Sequence, residues 1–262
     1  MFEWFRNRIL PALLLSLLLT GCISPQVKLT QEEIGHSSVP ATRETTIALI
    51  GATGMAGRYI LQRALAEGYP VKVLARTPAK LQDLASRVEI VEGDALDPVA
   101  IQSLITGSDV VITALGPVKS DGAAAQMITT RATGNVIEAM QGEKPGRYIV
   151  VSGAAVVVPG DQRNFIGWWM RQLVKLRLGE LLEDRQAEYQ LLADSAIDWT
   201  LVRCPLIDSE DYKNAPRSSL KTPSSFHLRA GELANFIIRE VEEPSYRRQA
   251  PFLYSVSNDA HR

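Results

Sequence analysis

The sequence predicts an α/β domain built on a doubly wound, mostly parallel sheet with helices on both faces. Two observations predict it. Short β-rich runs alternate with helical patterns from residue 45 onward, with no internal repeat, and such alternation packs as a parallel sheet covered on both sides. A loop with three glycines, Gly51, Gly54 and Gly57, stands between the first strand and the first helix. The composition agrees: 46% hydrophobic and 22% charged residues suffice for a packed core.

The elements follow in order. Thr45–Ile50 is the first strand. Gly54–Ala66 has apolar residues at helical spacing (Ala56, Ile60, Ala64) and ends at Gly68. Val71–Ala75 is the second strand, and Pro78 opens a short helix over Leu81–Leu84. Val88–Val91 is the third strand; Asp97 caps a helix running to Ile105. Asp109–Thr113 is the fourth strand and Ala124–Met140 a long helix. Tyr148–Val151, Trp199–Arg203 and Phe252–Ser255 are further strands, with helices at Leu181–Asp194 and Gly231–Glu242.

Twenty-eight Lys and Arg against 29 Asp and Glu leave a net charge of −1, so no electrostatic surplus draws the chain to nucleic acid. Two cysteines make no disulfide scaffold, and with His36, His227 and His261 scattered they supply no metal-ligand spacing. No Gly-x-Ser-x-Gly elbow is present, which disfavours a hydrolase.

The N-terminus reads as an export signal. Arg6 and Arg8 precede an apolar run, Ile9–Leu19, that is too short to span a bilayer. Leu19-Thr20-Gly21-Cys22 follows at once and resembles the lipobox of bacterial lipoproteins. The resemblance implies cleavage before Cys22, acylation of that cysteine, and a cell-envelope location. The absence of Asp after Cys22 favours the outer membrane of a Gram-negative cell. Residues 1–21 are then signal peptide, 22–44 a Pro-, Gly- and Ser-containing tether, and 45–262 one folded domain.

The glycine loop, Gly51-Ala52-Thr53-Gly54-Met55-Ala56-Gly57, sits where a dinucleotide loop must sit. Glycines permit a tight turn and close backbone approach to a diphosphate, and the helix N-terminus presents N–H groups and a positive dipole end to it. A packing turn without a ligand is the alternative. The Gly-x-x-Gly-x-x-Gly spacing resembles the atypical short-chain dehydrogenase/reductase superfamily, a Rossmann-type fold. The resemblance covers about residues 45–257 and is closest to the NmrA-like and biliverdin/flavin reductase-like branch.

That resemblance implies a nicotinamide cofactor. The ribose-reading position, at the end of the second strand, is Arg76. An acidic residue there would suit NAD; an arginine suits the 2′-phosphate of NADP. A solvated strand-end arginine is the other reading. Asp94 and Ala95 follow the third strand, where the family places an Asp near adenine. Ala114, Leu115 and Gly116 end the fourth strand, where the loop passes under the cofactor. Trp199-Thr200-Leu201-Val202-Arg203-Cys204-Pro205 is similar to the family's Trp-Thr-x-x-Arg-Pro strand, with Cys204 as an extra residue before Pro205.

The chemistry departs from the superfamily's usual form. Its proton donor is a tyrosine with a lysine four residues on. The residues four after the seven tyrosines are Arg63, Val73, Ser152, Ala193, Pro216, Ala250 and Asn258, so the pair is absent. Ser152 keeps the family's serine position, as a site residue or as the cap of its own turn. A flavin-like or quinone-like small-molecule acceptor needs no such donor, because it delocalises the incoming charge. In the flavin reductase-like branch a His follows an Asp-Asp pair; here Glu183-Asp184-Arg185 matches it, with Arg185 as a group that attracts an anionic substrate or stabilises charge, or as a helix-surface arginine paired with neighbouring carboxylates.

The stretch 156–180 reads as an insert. Ile166, Trp169, Met170, Leu173 and Leu176 share one helical face, and Arg171 and Lys175 the opposite one. A lid, a packing helix and a bilayer contact are the three readings. The sequence as a whole expects an NADP(H)-binding, lipid-anchored reductase. Its alternative is a non-catalytic lipoprotein using the same scaffold for a protein partner.

Overall fold

The computed structural model describes residues 43–116, 122, 126–143, 146–162, 165–221, 223 and 225–256. The signal segment, Cys22 and most of the tether lie outside them, as do His36 and His261. Ten strands and six α-helices alternate among the described residues. In chain order these are β1 (Ile47–Ile50), α1 (Met55–Ala66), β2 (Val71–Ala75), β3 (Glu89–Glu92), α2 (Pro98–Ile105), β4 (Val110–Thr113), α3 (Ile128–Glu143) and β5 (Arg147–Gly153). Then come α4 (Phe165–Arg177), α5 (Gly179–Asp194), β6 (Trp199–Cys204), β7 (Leu206–Asp208), β8 (Arg217–Ser219), β9 (His227–Arg229), α6 (Ala230–Glu242) and β10 (Phe252–Tyr254).

The main sheet runs in the order β3-β2-β1-β4-β5-β6-β10-β8. Every pairing is parallel except that of β8 with β10. The expected α/β fold is therefore present, with an antiparallel edge. Strand order reverses between β1 and β4, and such a switch point opens a crevice at the C-terminal ends of the strands.

Successive residues of the central strands serve opposite cores. Ile47 and Leu49 pack with Ile60 and Leu61 of α1 and Ile237 of α6. Ala48 and Ile50 pack with Leu104 of α2, Val136 of α3 and Leu192 of α5. Alternation of side chains across a pleat that is covered on both faces requires apolar residues at every position.

Two buried arginines hold the right half of the sheet. Arg203 of β6 is fully buried, donates to both carboxylate oxygens of Asp161 at 2.9 and 2.7 Å, and lies 3.7 Å over the Phe252 ring. Arg147 of β5 pairs with Glu240 of α6 at 2.8 Å. The arginine of the Trp-Thr-x-x-Arg segment is thus a core strut.

The structure corrects several boundaries. β3 is shifted one residue C-terminal to the expected strand, because this neighbour of β2 is half exposed and its apolar run does not fix its ends. α3 starts at Ile128 rather than Ala124, with residues 124 and 125 outside the described set. Its start is fixed from another element: Asp184 of α5 accepts from the Thr129 and Thr130 amides at 3.0 and 2.8 Å. A buried carboxylate supplied in trans satisfies N–H groups that a helix start leaves open.

Candidate cofactor and acceptor site

The loop after β1 is built from backbone. Gly51 has φ +87°, and a Cβ there would sit 2.6 Å from the Ala114 carbonyl oxygen. The Gly54 amide donates to the Gly51 carbonyl at 3.0 Å, closing the turn. A Cβ on Gly57 would meet the Gly51 carbonyl oxygen at 2.0 Å, so only glycine lets α1 sit this close to the loop. Gly54 caps α1 without a side chain, and no acidic residue stands in the first turn. The amides of that turn and the positive end of the helix dipole therefore suit an anion.

This loop is one wall of a 540 Å³ cleft at the switch point. Nine of the expected residues line it: Gly51, Thr53, Gly54, Arg76, Asp94, Ala95, Ala114, Leu115 and Gly116. A second cleft of 350 Å³ shares Ala114, Leu115 and Gly116 and adds Ala56, Ser152 and Pro205. Met55 and Gly57 line neither among the described residues; Gly57 is packed beneath the loop and Met55 stands on the exposed helix start.

Arg76 follows β2 directly, its side chain half exposed, with Nη1 3.7 Å from Asp94 Oδ2. Asp94 is itself held: its Oδ1 accepts from the Leu96 amide at 2.8 Å. Thr77 and Lys80 join Arg76 on this wall. The sequence reading missed Lys80. Its signal was a second cation four residues after Arg76, in the 3-10 turn Pro78–Leu84.

The second cleft rests on a buried polar network that periodicity did not reveal. Ser152 Oγ is buried and lies 3.4 Å from Glu188 Oε2. Glu188 is wholly buried and also accepts from Thr133 Oγ1 at 3.2 Å and Arg185 Nη1 at 2.9 Å. The Tyr148 hydroxyl donates to Thr113 Oγ1 at 3.0 Å and meets Thr133 Oγ1 at 3.1 Å. Burial raises the Glu188 carboxyl above the usual range, and Arg185 opposes that rise. Burial also lifts the Tyr148 phenol well above its ordinary value, so it stays neutral.

Arg185 is not a surface arginine: it is largely buried and lines the second cleft. Besides Glu188 it donates to the Val151 carbonyl at 3.2 Å and the Leu115 carbonyl at 2.5 Å. Cys204, which lines this cleft, is buried, and its thiol is pushed up to about 12 by desolvation. It is a packing residue at neutral pH.

In the insert, α4 turns Arg171 toward the body, where Nε donates to the Ala155 carbonyl at 3.2 Å. Trp169, Leu173 and Leu176 of the expected apolar face point outward, while the side chains of Ile166 and Met170 lie outside the described set. No described residue of α4 lines the second cleft.

A family model described as NAD(P)H-binding matches residues 51–244. The chain belongs to the NAD(P)H-binding family. Its fold is similar to an anaerobilin reductase from Escherichia coli O157:H7, with a TM-score of 0.68 and 20% identity over 83% of this chain and all of that one. It is also similar to a candidate NADH-flavin reductase from Streptococcus pneumoniae, with a TM-score of 0.64 and 18% identity over 81% of this chain and all of that one. A curated relative, (4-alkanoyl-5-oxo-2,5-dihydrofuran-3-yl)methyl phosphate reductase from Streptomyces griseus, is 29% identical over 60% of this chain and 46% of its own length. The chain spans less than two thirds of the curated relatives it matches, and 16% of an uncharacterized Mycobacterium tuberculosis protein.

Proposed function

We propose that this member of the NAD(P)H-binding family is an NADP(H)-dependent reductase, attached to the cell envelope through a lipid on Cys22, that reduces a flavin-like or quinone-like acceptor. The single observation that carries the reading is the pair of joined clefts: a glycine-walled one ending at Arg76 and Lys80, and a more apolar one at Ser152 and Pro205, sharing Ala114–Gly116.

The residues fit a dinucleotide. The Gly51–Gly57 loop is shaped by contacts a side chain would block, and the uncapped start of α1 suits a diphosphate. Arg76 and Lys80 would hold the 2′-phosphate, with Asp94 orienting Arg76. Bound NADPH supplies a hydride. The chain holds Ala114–Gly116 against Arg185 and keeps the acceptor cleft largely apolar, so its contribution is placement and water exclusion. The sequence has no Tyr-x-x-x-Lys pair, so the reading requires an acceptor that takes its proton from water.

The test is NADPH oxidation, followed by loss of nicotinamide absorbance, with flavin mononucleotide and with a soluble quinone. Acceptor-dependent oxidation supports the reading. NADPH binding without turnover on either would favour the second reading, a non-catalytic NADP-binding lipoprotein serving a protein partner. The missing Tyr-x-x-x-Lys pair is the observation on that side.

A further inference from the structure

The least expected surface of the protein is the outer face of α4. Phe165, Trp168, Trp169, Leu173 and Leu176 are between 49% and 79% exposed. At about 100° per residue these five side chains fill one arc of about 140° on the helix. The three aromatic rings pack on one another there, with centroids 5.5 to 6.4 Å apart. Exposed Lys175 and Arg177 border the arc on its two sides. From Gln162 to Gly179 the chain carries Arg163, Arg171, Lys175 and Arg177 and no carboxylate, in a protein whose net charge is −1.

A packing helix would turn this face inward. Instead α4 uses Arg171, on the opposite side, to bond the body at Ala155. An acceptor lid would place the rings on the second cleft, which no described residue of α4 lines. A second copy of the chain would set the same cations against one another across a twofold contact. An apolar arc of Trp, Phe and Leu flanked by cations is the pattern of a helix lying in a lipid–water interface.

We propose that the outer face of α4 docks on an anionic lipid surface, with the rings entering the headgroup–acyl boundary and Lys175 and Arg177 reaching phosphates. The proposal draws on the reading of Cys22 as lipidated for its geometry. Twenty residues separate Cys22 from Arg43, so an acyl group on Cys22 would hold the domain no farther than about 70 Å from the bilayer, and a weak intrinsic affinity of α4 for lipid suffices.

The experiment uses the full chain as the cell processes it, with vesicles of phosphatidylethanolamine and phosphatidylglycerol carrying brominated acyl chains. Bromine quenches indole rings that enter the acyl boundary. The difference between the chain and its Trp168→Phe/Trp169→Phe variant reads those two rings alone, since Trp199 is buried. We expect about twofold quenching of that difference signal, weakened when phosphatidylcholine replaces phosphatidylglycerol and lost in Leu173→Glu/Leu176→Glu. Intact NADPH binding and helical circular dichroism would show that this variant is folded. Mass spectrometry of the N-terminus separates the two readings. Quenching with an unmodified Cys22 keeps the docking face and removes the anchor. A lipidated Cys22 with unquenched rings overturns the docking face, as does a dimer dispersed by Leu176→Glu.

Discussion

The guanidinium of Arg185 donates to the carbonyl of Leu115 at 2.5 Å, joining residues 70 positions apart. Leu115 belongs to the short loop that both clefts share. Because Arg185 also bonds Val151 and Glu188, one side chain ties the ends of β4 and β5 to α5. The floor between the two half-sites is therefore set by an arginine that itself lines the second cleft.

Arg185→Ala is expected to lower stability by about 3 kcal/mol, since it strands the buried Glu188 charge. Adding Glu188→Gln should recover much of that loss, while the slackened Leu115 loop still weakens NADPH binding. Urea unfolding and nucleotide titration of both variants separate the two effects.

Gly57→Ala places a Cβ 2.0 Å from the Gly51 carbonyl oxygen. Overpacking against backbone of this kind should cost about 3 kcal/mol and abolish nucleotide binding. Gly134→Ala is the matched control: it lies inside α3 with nothing within 4 Å of the added carbon. There the protein should gain about 0.5–1 kcal/mol from the alanine's helix propensity. Thermal unfolding midpoints check both.

Arg76→Ala should weaken NADPH binding by about 10- to 100-fold, as expected on losing charge-assisted bonds to a phosphate. NADH binding should change by less than about threefold, since that ribose carries no phosphate. Lys80→Ala should act in the same direction and less strongly, because a lysine makes a point contact rather than a bidentate one. Equal loss for both nucleotides would remove the 2′-phosphate role.

Glu188 gives a pH signature. Its carboxyl titrates near 4.5 when unfolded and higher when folded, mainly through burial. The folded state then holds its proton more tightly, so stability is present below the unfolded value and is lost as pH rises through the folded one. The stability of Glu188→Gln relative to the parent should improve as pH rises above the unfolded carboxyl value. A difference that does not change with pH would mean that Glu188 ionises normally.

The sheet and its loop were legible because they rest on local rules. Apolar runs such as Ile47–Ile50 and Val110–Thr113 are buried on both faces, and Gly51 and Gly57 occur where backbone must approach backbone. β7, β8 and β9 were not legible. Each has three residues and no sustained apolar run, and becomes a strand only through pairing with a distant partner. α5 hid the polar floor of the site. Nothing in the polar run of α5 marks Asp184 and Glu188 as interior groups, yet both are buried because α3 and β5 offer them donors. Lys80 was missed because its one signal, a second cation four residues after Arg76, gains meaning only when the turn is seen against the cleft.

The most direct measurement is a titration of the purified protein with NADPH and NADH, followed by nicotinamide fluorescence. Saturable enhancement, reached at lower concentrations of NADPH than of NADH, is the result expected from a glycine-walled cleft that ends at Arg76. A flat response to both nucleotides would contradict it.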